Sequence, residues 1–344
     1  MSALLVVLEG DAVARGRGQA AACPEMAEAV RDAIRGRLAQ APARDARMTR
    51  FLDAQREATA RLAPDALAEI AGIAEGFGLD PAEVFDFLHL GCLADLVAAP
   101  ADTDGCSAFS SRGVVAKNRD FRPEHKALQR VFLHRDPAWG GRSVLCLGSL
   151  GAPGAWSSGM NSDGFALADT QIPTADHGPG ILRYFLMTRL LARCATAEEA
   201  LAEIAALPHA GGGSLVLGDA SGAAASVELR HSRVDVARGA WAAHTNHYVA
   251  APDALAPVPH SAGRLAVLEA ALSADPACDP RSLLAAHAPE AVCRHAPDPS
   301  PTLAGAVWDC RDRSAWIADG PPCSTPWVRF VPDGRGWRET HASA

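Results

Sequence analysis

Gly105-Cys106-Ser107 is the stretch of this 344-residue chain whose residue types and placement point to chemistry. The cysteine lies inside the chain, where its thiol has no amine of its own to serve as base. If the Gly105–Cys106 bond were cut, Cys106 would become a chain terminus carrying a thiol nucleophile and an α-amino group together. A free α-amine has a pKa of about 7.7–8.0, so near neutral pH it accepts a proton where a lysine ammonium cannot. One residue would then supply attacker and base, which is the chemistry of an amide-bond hydrolase or acyltransferase. A cysteine alone is weak evidence, because most free cysteines are small buried apolar residues. Its company adds weight. Asn118-Arg119-Asp120-Phe121 follows a turn at Arg112-Gly113, and hairpin pairing would return Asp120 beside residue 106, where a carboxylate can hold a terminal ammonium. The plainer reading of Asn118 and Asp120 is as turn formers at a strand end.

The elements that must position these residues change character at that point. Ser2–Glu9 reads as a short strand, Val13–Gly18 carries two glycines, and from about Ala21 to Leu96 the pattern is helical. Leu67, Ile70, Ile73 and Phe77 recur at three- and four-residue spacing, and Pro81 opens a further helix through Val84, Phe85, Leu88 and Leu90. Ala98–Gly105 breaks the periodicity with turn formers, which puts the Gly105–Cys106 bond in a strained or exposed connection. Beyond it, Cys106–Ser111 and Val114–Asn118 read as a hairpin, and Val131–His134, Ser143–Leu147 and Phe165–Ile172 continue as strands. A long amphipathic helix is expected over Ile181–Leu207. Strands follow at Ser214–Leu217, Ala224–Arg230, Val234–Ala237 and Trp241–His247, then helices at Arg264–Leu272 and Ser282–Ala286, and a last hairpin over Leu303–Ala318. Strands in runs separated by helices favour an α+β layered sandwich over an alternating βαβ sheet.

Composition narrows the function. A formal charge of −8 with 32 basic residues and no basic cluster argues against nucleic acid as a partner. Nine cysteines without a CxxC pair make neither a zinc framework nor a redox motif, and the odd number fits poorly with a disulfide-bonded secreted protein. The N-terminal apolar run lacks a basic leader and ends in Glu9 and Asp11, and no run reaches the roughly 18–20 apolar residues of a membrane span. The expectation is a soluble, cytoplasmic protein. Pro42–Arg47 and Ala251–Pro259 read as solvated turns or linkers, and Gly211-Gly212-Gly213 lacks the context of a phosphate-binding loop.

The ordered segments Gly10…Gly16-Arg17-Gly18, Gly105-Cys106-Ser107, Asn118-Arg119-Asp120, Gly159–Gly164, Leu217-Gly218-Asp219-Ala220…Glu228 and His244-Thr245-Asn246-His247 resemble the N-terminal nucleophile hydrolases. Within them the resemblance is to the acyl-coenzyme A:6-aminopenicillanic acid acyltransferase family (peptidase family C45). It implies a four-layer αββα fold and self-cleavage before the cysteine. Residues 1–105 would form a helical pro-segment and 106–344 the catalytic fragment, associated as one domain. It further implies hydrolysis or transfer of acyl groups at linear amides or acyl thioesters, with no metal and no cofactor and with a coenzyme A thioester only as a substrate. Carried over, Cys106 is the nucleophile, its freed amine the base and Asp120 that amine's partner. Asn246 is an oxyanion donor. Gln171 stands where related bile-salt hydrolases have an oxyanion asparagine, and Arg264 matches an arginine heading the following helix. Lys117 departs from the Arg or Gln of relatives, and Arg and Lys are not equivalent at a carboxylate.

Two other readings stay open. Cys106 can be a packed thiol in an uncut, non-catalytic protein of the same fold, or an ordinary cysteine nucleophile that uses His244 or His247 as base. A metal on His244 and His247 is disfavoured, because their spacing along a strand places them on opposite faces and no HExxH helix accompanies them. Trp156, near Gly159, belongs to the core or to the wall of an acyl pocket.

Overall fold

The computed structural model describes residues 4–98, 105–251, 260–334 and 336–340, so most of the turn stretches Ala98–Gly105 and Ala251–Pro259 lies outside the described residues. The strands are β1 (Leu5–Glu9), β2 (Ser107–Ser111), β3 (Val114–Asp120), β4 (Gln129–Arg135), β5 (Ser143–Ser149), β6 (Ser158–Asn161), β7 (Phe165–Thr170), β8 (Ser214–Asp219), β9 (Ala224–Leu229) and β10 (Val234–Gly239). They continue with β11 (Trp241–His244), β12 (Thr302–Asp309), β13 (Ser314–Ala318), β14 (Trp327–Asp333) and β15 (Gly336–Thr340). The helices are α1 (Ala12–Ala22), α2 (Ala27–Gln40), α3 (Ala46–Leu62), α4 (Pro64–Phe77), α5 (Pro81–Leu88), α6 (Leu90–Leu96), α7 (Arg183–Arg193), α8 (Ala197–Ala205), α9 (Ser261–Ala274) and α10 (Pro280–Leu284). One sheet has the order β1-β4-β5-β6-β7-β8-β9-β10 and the other β11-β2-β3-β12-β13-β14-β15.

Alternation along the strands sorts the core into three apolar layers between four structural ones. On β5, Val144 and Cys146 pack toward α1–α8, while Leu145 and Leu147 pack toward the second sheet. On β3, Val115 faces the first sheet and Ala116 faces α9 and α10. The result is a four-layer αββα sandwich, as the resemblance implied. Strands covered on both faces read as continuous apolar runs, which is why they were visible as strands without a clean polar alternation. Residues 4–98 are woven into this core. β1 runs parallel to β4 from Leu5 opposite Val131 to Glu9 opposite Arg135, and Leu8, Val30, Ile73 and Phe85 share one apolar cluster with Phe132, Phe165 and Leu186. Among the described residues no helix is long and apolar enough to cross a membrane.

Some elements depart from the expected pattern. The glycine-bearing stretch after β1 is itself a helix, α1, started by Asp11, whose side chain accepts the Ala14 amide. Its glycines serve packing. A β-carbon at Gly16 would run into the Glu69 carbonyl, and one at Gly72 into the Val13 carbonyl, so α1 and α4 touch backbone to backbone. This close approach seats Arg15, fully buried, between Glu69 and Asp136. The long helix expected over Ile181–Leu207 is two, because the Thr196 hydroxyl accepts the Glu199 amide and starts α8 afresh. The strand expected to reach His247 ends at His244, and the hairpin β14–β15 follows the one expected as last. Gly72→Val is expected to force α1 from α4 and lower stability by ~1–3 kcal/mol, read as the urea midpoint; an unchanged midpoint would show that the two helices do not meet at this glycine.

Candidate active site

The hairpin β2–β3 turns through Arg112 and Gly113 at φ of 50° and 77°. Two successive left-handed residues suit the two-residue turn whose twist matches paired strands. The register set by Ser107 opposite Asn118 carries β3 past the start of β2, and the Cys106 Sγ–H donates to the Asp120 carbonyl at 3.6 Å. Cys106 is in no disulfide and is 8% exposed. The Asp120 carboxylate is buried. Its Oδ1 accepts from the Thr302 hydroxyl at 2.6 Å, a contact produced by the β3–β12 pairing of Asp120 with Thr302. Its Oδ2 has no hydrogen-bond donor among the described residues and lies 3.8 Å from Nη1 of Arg294. Burial pushes the Asp120 carboxyl up to about 6, against the pull of Arg264 and Arg294.

Gly105 completes this corner. A β-carbon there would overlap Nη1 of Arg294 and come within 3.0 Å of Oδ2 of Asp120, so the peptide before Cys106 is pressed against both charges. Arg264, fully buried on α9, binds the other side. Its Nη1 donates to the Cys106 carbonyl at 2.7 Å and to the Ser107 hydroxyl at 2.9 Å, and its Nη2 donates to Oδ1 of Asn246 at 2.8 Å. Because Oδ1 faces Arg264, the Asn246 amide turns its Nδ2 to the Gln171 carbonyl at 2.8 Å, which leaves one N–H for another acceptor.

Across the sheet interface, Lys117 pairs with Asp169, which also accepts from Nε of Arg183 at 2.8 Å. Nη2 of Arg183 in turn donates to Oε1 of Gln171 at 2.7 Å. Two cations thus share one buried carboxylate. Cys106, Lys117, Arg119, Asp120, Asp169 and Arg183 line a small cavity of about 30 Å³, room for about one water or a reacting carbonyl. Phe121, Trp156, Gln171, Arg183 and Tyr184 border both this cavity and a larger one of about 350 Å³, whose wall includes Phe87, Leu88, Leu90 and Leu182. Trp156 is stacked between Tyr184, ring centres 3.9 Å apart, and Phe87 at 5.9 Å.

The structure therefore gathers Cys106, Asp120, Asn246, Gln171, Lys117 and Arg264 in one region. It separates Asn118, whose amide donates to the carbonyls of Leu284 at 2.7 Å and Val292 at 2.9 Å and so pins the α10 segment beneath the second sheet. His244 is held by Glu228 at 3.0 Å and His247 by the Ser261 hydroxyl at 2.7 Å, and among the described residues no histidine lines the cavity at Cys106. Arg294, Thr302, Asp169 and Arg183 were not foreseen. Asp169 left a signal, a lone charge in the apolar strand run from Phe165; Arg294 and Thr302, more than 170 residues from Asp120, left none.

A four-layer αββα sandwich is the fold of the N-terminal nucleophile hydrolases. This chain belongs to the acyl-coenzyme A:6-aminopenicillanic acid acyl-transferase family, whose sequence profile matches residues 107–322. Comparison with curated protein sequences found no match. Among solved structures, the chain is similar to a conjugated bile acid hydrolase from Clostridium perfringens at 11% identity, over 70% of this chain and 100% of that one, with a TM-score of 0.42. It is also similar to a penicillin V acylase from Agrobacterium tumefaciens at 15% identity, over 66% and 86% of the two chains, with a TM-score of 0.41.

The raised Asp120 carboxyl has a measurable consequence in the uncut chain. The folded state keeps that proton up to about pH 6, whereas the unfolded chain releases it near 3.8. Asp120 therefore contributes stability that is complete below the lower value and is lost as pH rises through the upper one. In a Cys106→Ala chain, the change in urea midpoint on adding Asp120→Asn is expected to become more favourable between about pH 4 and pH 7. A change independent of pH would mean that this carboxyl ionises normally.

Proposed function

We propose that the protein is a self-processing cysteine amidohydrolase whose nucleophile is Cys106. The observation that carries this reading is the buried Oδ2 of Asp120, which lacks a hydrogen-bond donor among the described residues and faces the Gly105–Cys106 peptide. An ammonium freed on Cys106 would supply the missing donor, and a carboxylate freed on Gly105 would meet Arg294. Cleavage thus creates one charge of each sign beside an existing partner of the opposite sign, which offsets the desolvation that an isolated buried charge suffers.

In processing, the Cys106 thiol attacks the Gly105 carbonyl carbon and the C–N bond breaks, so that the acyl group moves from nitrogen to sulfur and the α-amine is released. Water then hydrolyses the thioester to a Gly105 carboxylate and restores the thiol. The fragment 1–105 stays bound, because β1 and α1–α6 share the core of the rest of the chain. In turnover the α-amine takes the Cys106 proton, the thiolate attacks a substrate carbonyl, and the remaining Asn246 N–H donates to the oxyanion. Lys117, Arg119 and Arg183 outnumber Asp120 and Asp169 around the cavity. Arg264 holds both Asn246 and the Cys106 carbonyl, so it positions the donor relative to the nucleophile.

The adjoining aromatic cavity fits the acyl part of a small linear amide, with the reacting carbonyl entering the narrow space at Cys106. Hydrolysis is the reading taken, since transfer to an amine requires a site that shields the acyl-enzyme from water. Among the described residues no histidine lines the cavity at Cys106, which favours the freed amine over a Cys-His pair.

Intact mass and N-terminal sequencing of purified protein are expected to find two fragments, the larger beginning at Cys106, and Cys106→Ala is expected to stay full length and inactive. An active protein that remains one uncut chain would overturn the proposal. Gly105→Val, which drives a side chain into Arg294, is expected to slow processing; cleavage at the parent rate would remove the role given to that packing. Asn246→Ala is expected to lower kcat by about 100- to 1,000-fold with little change in KM, as loss of an oxyanion donor does. A defect confined to KM would assign this amide to substrate binding instead.

A further inference from the structure

We propose that His287, Cys293, His295 and Cys323 form a structural zinc site. Their ligand atoms all lie within 4.8 Å of one another. The two sulfurs are 3.6 Å apart, the two Nε2 atoms 3.1 Å apart, and Nε2 of His295 is 3.7 Å from Sγ of Cys293 and 3.3 Å from Sγ of Cys323. Bonds of about 2.3 Å to sulfur and about 2.05 Å to nitrogen at tetrahedral angles separate two sulfurs by about 3.8 Å, two nitrogens by about 3.3 Å and a sulfur from a nitrogen by about 3.6 Å. These four separations lie within about 0.3 Å of the corresponding edges of such a tetrahedron. The sulfurs are far beyond the roughly 2.05 Å of a disulfide. Two thiolates and two imidazoles satisfy zinc's preference for sulfur and nitrogen, and four protein ligands leave no position open for a substrate, which marks a structural site.

The sequence itself gives no metal motif, because its cysteines lack a CxxC pair and the spacing of His244 and His247 would place them on opposite faces of a strand. The cluster instead comes from two separate loops. The amides of Val292 and Cys293 both donate to the Ala286 carbonyl at 3.0 Å, which folds one loop back on itself. The amides of Ser324 and Thr325 donate to the Pro321 carbonyl at 3.1 and 3.0 Å, which turns the other. An ion would join the loops. Each metal bound would release two protons, one from each thiol.

Arg294 lies between two of the ligands, and its side chain reaches Asp298, Asp120 and Gly105. The ion would therefore hold in place the segment that carries Arg294 to the peptide before Cys106. Metal content is read independently of cleavage and turnover, so this site can fail without the cysteine mechanism failing, and the reverse.

The test uses the full chain, without a histidine tag, stripped by chelator under reducing conditions and titrated with Co(II). Uptake of one cobalt per chain is expected, with thiolate charge-transfer absorption and the visible bands of tetrahedral cobalt, and with displacement by one equivalent of zinc. Cys293→Ser and Cys323→Ser should each abolish that absorption, and His287→Ala, at an exposed position, should weaken cobalt binding at least tenfold while circular dichroism stays unchanged. Cys278→Ser, outside the cluster, should bind as the parent does. Failure of the parent chain to take up cobalt, uptake indifferent to both cysteine substitutions, or a Cys293–Cys323 disulfide persisting under reductant would each overturn the proposal.

Discussion

The burial of Asp120 against Arg294 and Arg264 is the constraint around which the molecule is arranged. A carboxylate removed from water is tolerated only with opposite charge and hydrogen bonds close by, and losing one partner of such a group is costly. Here the partners come from separate places: Thr302 through strand pairing, Arg264 from α9, and Arg294 from a loop whose charge is shared with Asp298. The corner that holds Gly105 and Cys106 exists only when the second sheet and its covering helices are in place.

The same sheet divides two kinds of chemistry between its faces. Along β3, Lys117 and Arg119 point into the sheet interface, where Lys117 meets Asp169 and Arg119 meets Gln129 and Ser149. Asn118 and Asp120 point toward the helices beyond, where Asn118 fastens α10 and Asp120 meets the arginines. Cys106 sits at the end of the neighbouring strand, where both groups come within reach. Asp169 and Arg183 then continue the polar chain to Gln171 and the aromatic cavity, so the cysteine has charge on two sides and an apolar chamber on the third.

Much of this was legible because it is local. The turn chemistry of Arg112-Gly113 and the apolar runs beside it define the hairpin, and a hairpin alone brings Asp120 back to Cys106. Asn246 and Arg264 were recognised through the motifs around them, and the structure links them directly. Asn118 belonged to the same motif, yet strand alternation turns it to the opposite face from Lys117, where it serves packing. The glycines of α1 looked like breaks in a helix because their benefit, close contact with α4, lies in another element.

Residue types and short-range spacing by themselves determined most strands between Cys106 and Ala318, the layered class, the hairpin that pairs Cys106 with Asp120, and the family. Those features depend on backbone propensity and on contacts a few residues apart. Tertiary structure alone decided that Arg294 and Thr302 complete the Asp120 corner, that Asp169 and Arg183 join Lys117 to Gln171, and that His287, Cys293, His295 and Cys323 converge. Each of these requires groups from distant loops or strands to share one small volume. Only the packing of the sheets and helices sets that distance, and linear spacing carries no trace of it.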